Sequence, residues 1–228
     1  MATRHTVKSY EQELNLLSRK VTEMGGLVEM QITGAIDALV QRDTELADEV
    51  IHRDDLVDRL EDDVDQLAIR ILATRQPVAV DLRVIVMALK ISNDLERIGD
   101  YAVNMARRCY RLVEVPPVKP VHTIPRMAQI AQAMVKDVLD AYGERDVTKA
   151  IAVWHRDDEV DDLYTSLFRE LLTYMLEDPR SISACTHLLF IAKNIERIGD
   201  HATNIAEKIN YMIRARPLKQ AVSPPAAS

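Results

Sequence analysis

Residues Ala88–Ala106 read ALKISNDLERIGDYAVNMA, and residues Leu188–Ala206 read LLFIAKNIERIGDHATNIA, so one pattern returns after about a hundred positions. In each copy the apolar residues advance in steps of four and three. They are Ile91, Leu95, Ile98, Ala102, Met105 and Cys109 in the first copy, and Ile191, Ile195, Ile198, Ala202, Ile205 and Ile209 in the second. Steps of this kind form the seam of a helix laid against other helices. The spacing therefore predicts two long helices with equivalent cores. In a chain of 228 residues, a duplication on this scale predicts two similar units.

Helical signals extend outward from both copies. Apolar periodicity predicts a helix over Tyr10–Val40, and Arg42-Asp43-Thr44 supplies a break and an N-cap for a second helix reaching Thr74. Pro77 marks the following turn, and the third helix, with the first repeat copy, runs to Val113. The segment Glu114–Pro125, EVPPVKPVHTIP, holds four prolines and reads as a connection. A fourth helix is expected over Pro125–Tyr142 with Gly143 ending it, and Arg145-Asp146-Val147 repeats the earlier cap. The fifth helix is expected to reach Leu176 in one piece, Asp178-Pro179 to turn the chain, and the sixth to end at Arg214.

The expected fold is all-α: two three-helix bundles in tandem, built from six long antiparallel helices. The chain divides into a first repeat over residues 1–115, a Pro-rich linker over 116–124, a second repeat over 125–216 and a disordered tail over 217–228. Composition agrees with this, since 6 Gly, 9 Pro and 2 Phe leave little for sheets and tight turns.

A net charge of −7 removes the electrostatic footprint of a general nucleic-acid binder and favours cations or basic partners. Cys109 and Cys185 fall at non-equivalent places in the two copies and have no metal-ligand spacing, so they read as free thiols. The first residues carry no apolar signal core, and the longest apolar run, Val84–Leu89, is far below the roughly 20 residues of a membrane span. A soluble, cytoplasmic protein is expected.

Both repeat copies contain Glu-Arg-Ile-Gly-Asp, which sets Glu96 above Asp100 and Glu196 above Asp200 on one helix face. The preceding helices carry matching pairs, Asp54/Asp58 after His52 and Asp157/Asp161 after His155. Equal rise from the turns at Gln76-Pro77 and Asp178-Pro179 brings Asp58 level with Glu96 and Asp54 with Asp100. It likewise brings Asp161 level with Glu196 and Asp157 with Asp200. Four carboxylates at one height repel unless compensated, and oxygen-only donor sets suit hard or borderline cations such as Mg, Mn, Ca or Fe. The competing reading is a solvated helix surface neutralised by Arg97 and Arg197.

The heptad register turns these acids away from the core. In a ferritin-like di-iron site the acids point inward and come with Glu-x-x-His pairs, which are missing from these helices. Gly99 and Gly199 stand in mid-helix, where close packing or room for an ion beside the carboxylates accounts for them. His52 and His155 read as exposed histidines, and Asn104 and Asn204 as hydrogen-bonding neighbours one turn beyond Asp100 and Asp200. Nucleophilic triads, P-loops and dinucleotide-binding glycine patterns are all missing, so catalysis has little support.

Over Tyr10–Arg214 the tandem repeats, Asp54-x-x-x-Asp58, Asp157-x-x-x-Asp161 and the two Glu-Arg-Ile-Gly-Asp helices resemble the PhoU family. The resemblance implies a non-enzymatic negative regulator of phosphate uptake and phosphate-regulon signalling. Such a protein acts on the phosphate ABC transporter and its phosphate-sensing histidine kinase, reaching the membrane only through these partners. It implies a homodimer, no nucleic acid, and divalent or trivalent metal ions (Mg, Mn, Fe or Zn). The implied ligands are Asp54, Asp58, Glu96 and Asp100 in one unit and Asp157, Asp161, Glu196 and Asp200 in the other. A metal-dependent carboxylate enzyme and a purely structural helical dimer are the alternatives.

Overall fold

The computed structural model describes residues 2–118 and 123–218. The described residues are helical, without strands: α1 (Ala2–Gln41), α2 (Thr44–Arg75), α3 (Ala79–Val113), α4 (Thr123–Glu144), α5 (Val147–His155), α6 (Asp157–Glu177) and α7 (Ile182–Arg214). Helices α1–α3 pack on one another as one three-helix unit, and α4–α7 form the second. The two units join through α3 against α7 and, less extensively, α1 against α4. The tandem-bundle expectation holds, with α5 and α6 together taking the place of a single fifth helix.

The caps form as the sequence indicates. Asp43 Oδ1 accepts from the backbone N–H of Glu45 and Leu46 at 2.8 and 3.2 Å, and Asp146 Oδ1 accepts from Thr148 and Lys149 at 2.7 and 3.2 Å. Each cap also closes the helix before it. Arg42 and Arg145 adopt left-handed backbone (φ 57° and 55°), and the next N–H returns five residues to Ala38 O and Ala141 O, both at 2.9 Å. This is a helix-ending turn in which arginine occupies the place that glycine usually takes. Gly143 lies inside α4 rather than ending it, because Arg145 supplies the left-handed residue.

The fifth helix breaks where continuity was expected. Arg156 has φ −86° and ψ −9°, and its N–H bonds Val153 O at 3.0 Å, three residues back. The guanidinium is held by Asp137 of α4 at 2.8 Å, so the break coincides with a side chain drawn toward the neighbouring helix. Asp157 then becomes the first residue of α6. At Asp178 a short 3-10 turn, Pro179–Ser181, leads into α7.

All twelve seam residues of α3 and α7 are at most 1% exposed. Each buried Leu or Ile contributes roughly 2 kcal/mol relative to exposure. Helix α3 is also buried along a second stripe, including Met87, Asp94 and Val103, which accounts for its contact with α7 as well as with its own bundle. Among the described residues no helix is long and apolar enough to cross a membrane. Leu218, at the start of the expected tail, is buried, and residues 219–228 lie outside the described residues.

Candidate functional site

Asp54 and Asp58 stand on α2 and face Glu96 and Asp100 on α3; Asp157 and Asp161 on α6 face Glu196 and Asp200 on α7. An independent contact supports the first register: Asn93 Nδ2 donates to Glu61 Oε1 at 3.4 Å, three residues along each helix from Glu96 and Asp58. Glycine opens the floor of each groove. A Cβ at Gly99 would lie 2.8 Å from Gln31 Oε1 and 3.7 Å from Asp54 Oδ1, and one at Gly199 would lie 3.1 Å from Asp157 Oδ1. Gly99 and Gly199 thus leave space beside the carboxylates.

The heptad register placed these acids on an open outer face, and the structure corrects that placement. The side chains of Glu96 and Glu196 retain only 18% and 15% exposure, against 42% and 36% for Asp100 and Asp200. Each glutamate sinks into the α2–α3 or α6–α7 groove while the aspartate one turn on stays half open.

Burial changes the chemistry. Desolvation first, then repulsion from Asp100, pushes the Glu96 carboxyl up to about 7, with Arg97 pulling against it. Desolvation, then repulsion from Asp161 and Asp200, pushes Asp157 up to about 6. Asp58 and Asp161 are also raised, burial leading in both, with Asp100 next for the first and Glu196 for the second. Asp54 is raised by burial despite the opposing hydrogen bond from Gln31. Carboxyls that raise one another in this way require a proton or a cation among them.

The cations already present cover the groups unevenly. Arg97 lies 3.3 Å from Asp100 and 3.4 Å from Glu96, Arg197 lies 3.2 Å from Asp200, and Lys193 is ion-paired with Glu196. Glu96 Oε2, Glu196 Oε2, Asp157 Oδ1 and Gln31 Oε1 are nevertheless buried without a hydrogen-bond partner. Lys193 approaches Glu196 at ion-pair distance but outside hydrogen-bonding geometry. Buried orphan oxygens in an acidic groove fit a hard cation in donor type and in environment. As arranged, no three His, Cys, Asp or Glu side chains among the described residues close into a metal-ligand set, so ligation requires the carboxylates to rotate inward.

Sequence reasoning singled out neither Gln31 nor Lys193. Gln31 is fully buried and donates from Nε2 to Asp54 Oδ1 at 3.1 Å. Its signal was a polar residue in the apolar run Met24, Val28, Gln31, Ala35, Ala38 of α1. The histidines stay apart from the grooves: exposed His52 bonds Asp48 O at 2.7 Å, and exposed His155 packs edge-on to Trp154. Asn104 and Asn204 are exposed.

Two three-helix units joined back to back, each with a groove formed by two facing carboxylate pairs, define a duplicated helical-bundle protein with twin acidic sites. A model of the PhoU domain matches residues 21–109 and 124–209, one match per unit. This chain belongs to the PhoU family. It is 52% identical to the phosphate-specific transport system accessory protein PhoU homolog of Caulobacter vibrioides, over 95% of this chain and 94% of that one. It is 48% identical to the homolog of the same name from Rhizobium meliloti, over 93% and 90%. The crystal structure of PhoU from Pseudomonas aeruginosa superposes with a TM-score of 0.87 at 41% identity, covering 91% of this chain and all (100%) of that one. The regulatory protein PhoU from Streptococcus pneumoniae gives 0.84 at 26% identity, covering 92% and 99%.

Proposed function

We propose that this chain is an accessory protein of a phosphate-specific transport system, acting in the cytoplasm as a non-enzymatic negative regulator of phosphate uptake and of phosphate-regulon signalling. Its partners in this proposal are the phosphate ABC transporter and a phosphate-sensing histidine kinase, and it works as a homodimer. The repeats on either side of the 116–124 segment are its two working units. Relatives that carry the transport-accessory name align along nearly the whole of this chain, which supports the general role.

The observation that carries the mechanism is the buried carboxylate oxygen without a hydrogen bond in each groove, Glu96 Oε2 in one and Asp157 Oδ1 in the other. Asp54, Asp58, Glu96 and Asp100, and Asp157, Asp161, Glu196 and Asp200, would hold divalent or trivalent cations. A bound cation would neutralise the acids and lock α2 to α3 and α6 to α7. The carboxylates bind and orient the ion, and the buried seam beneath them keeps the groove rigid. The exposed stripe of Phe168, Leu172 and Leu176 on α6 offers apolar surface of the kind that a partner covers. Surface hollows beside Pro116–Pro117 and between Lys90 and Lys208 lie away from the carboxylates, an arrangement that favours binding over carboxylate-assisted catalysis.

The test is phosphate uptake, at high external phosphate, in a strain lacking the chain. Uptake should stay high without the protein and fall again with the wild-type gene. A variant combining Glu96→Ala, Asp100→Ala, Glu196→Ala and Asp200→Ala should fold and dimerise yet fail to restrain uptake. Full restraint by that variant would separate the acidic grooves from regulation.

A further inference from the structure

The two grooves differ, and the difference follows the duplication. Gln31 precedes Asp54 by 23 residues, and at the same distance before Asp157 stands Met134. The flanking seams match residue for residue: Met24, Val28, Gln31, Ala35 and Ala38 in α1 against Met127, Ala131, Met134, Val138 and Ala141 in α4. Both side chains are fully buried and both reach the glycine floor. Gln31 Oε1 would lie 2.8 Å from a Cβ at Gly99, and Met134 Cε 3.8 Å from one at Gly199. An amide that fixes Asp54 through Nε2 and has a free, buried Oε1 has thus been exchanged for a thioether.

A second exchange sits three residues before the glutamate. Asn93, neutral, donates to Glu61 in the first groove. Its counterpart Lys193 is ion-paired with Glu196 and lies 5.2 Å from the ring centroid of Tyr164, the residue in the place of Glu61. At this end of the groove the first unit therefore has the carboxylate Glu61 and the neutral Asn93 where the second has Tyr164 and the ammonium of Lys193; the first groove's own cation, Arg107, acts at the other end, on Asp54. Hard cations prefer neutral and anionic oxygen to thioether sulfur, and a resident ammonium competes with any cation for the same carboxylates.

We infer that the two grooves are unequal cation sites. The Asp54/Asp58/Glu96/Asp100 groove, supported by Gln31, is the tight site for a hard divalent cation. The Asp157/Asp161/Glu196/Asp200 groove is a weaker site, filled by Lys193 at low cation concentration. This rests on the cation reading of the grooves given above. Occupancy then rises in two steps, so the second unit responds to cation levels that already saturate the first.

The experiment is Mn2+ titration of the full-length protein, followed by the electron paramagnetic resonance signal of the free ion. Each groove is isolated by disabling the other with Glu196→Ala/Asp200→Ala or Glu96→Ala/Asp100→Ala. The first groove alone should bind about tenfold more tightly than the second alone, the scale on which a supporting residue acts at a metal site. Gln31→Met should remove that advantage, and Lys193→Asn should tighten the second groove; circular dichroism checks that each variant is folded. Equal affinity of the isolated grooves, or an unchanged first groove in Gln31→Met, overturns the inference while the cation reading stands. Absence of Mn2+ binding by the wild-type protein overturns both.

Discussion

Asp94 of the first unit accepts a hydrogen bond from Nδ1–H of His201 in the second, at 3.0 Å, across the α3–α7 contact. Its other oxygen is ion-paired with Lys208, and the Asp94 side chain is 7% exposed. The duplication gives no counterpart for this link, since Asn194 and Tyr101 stand at the equivalent places. Asp94 thus ties the two units through a charge that only one of them carries. Asp94→Ala leaves two donors facing a buried gap and should cost about 2–3 kcal/mol in urea unfolding, with Asp94→Asn costing less. The loss should appear as weakened docking of the units rather than as loss of helix content.

Two left-handed arginines separate intrinsic strain from compensation. Arg42 Nη2 donates to Val115 O at 2.7 Å and also to Leu112 O, tying the first inter-helix turn to the end of α3. Arg145 has no such side-chain bonds among the described residues. Arg145→Gly should therefore stabilise the protein by about 0.5–1 kcal/mol by relieving a left-handed non-glycine residue. Arg42→Gly should show no gain, because the same relief is offset by two lost hydrogen bonds. Thermal unfolding of the two variants side by side tests the contrast.

The acidic grooves set a pH dependence with a definite sign. Glu96 is raised from 4.5 to about 7 and Asp157 from 3.8 to about 6, so across those windows the folded protein holds more protons than the unfolded chain. Stability contributed by these groups is present on the acid side and falls as the pH rises through about 6 and about 7. Protein stripped with chelator should lose urea resistance from about pH 4 to about pH 7, and Glu96→Gln/Asp157→Asn should flatten that slope. Added Mn2+ should restore stability most at the alkaline end, where the carboxylates are free to bind it.

The groove glycines should trade stability against binding. Alanine at either position improves helix propensity by about 1 kcal/mol. At Gly99, however, the new methyl group would press on Gln31 Oε1, and at Gly199 on Asp157 Oδ1. Gly99→Ala and Gly199→Ala should leave the metal-free protein near wild-type stability while weakening Mn2+ binding at the altered groove. Calorimetric titration beside thermal melts distinguishes this from simple destabilisation.

The seam Ile91–Cys109 and its copy, the Asp43 and Asp146 caps and the facing of the acidic pairs were legible because each depends on spacing within a helix or across one hairpin. The break at Arg156 was not, since it pairs with Asp137, a residue on another helix. The depth of Glu96 was misjudged because a heptad register places a side chain by its own helix alone, whereas Glu96 is flanked by Asp58 and Glu61 of the neighbouring α2. Gln31 was visible as a polar residue in an apolar seam, but its partner Asp54 lies on the next helix.

The central claim, that the two acidic grooves hold cations, is tested most directly by anomalous scattering from crystals grown with Mn2+. Peaks are predicted within coordination distance of Asp54, Asp58, Glu96 and Asp100, and of Asp157, Asp161, Glu196 and Asp200. In the Glu96→Ala/Asp100→Ala variant only the second should remain. Saturating Mn2+ with no anomalous density in either groove would contradict the account.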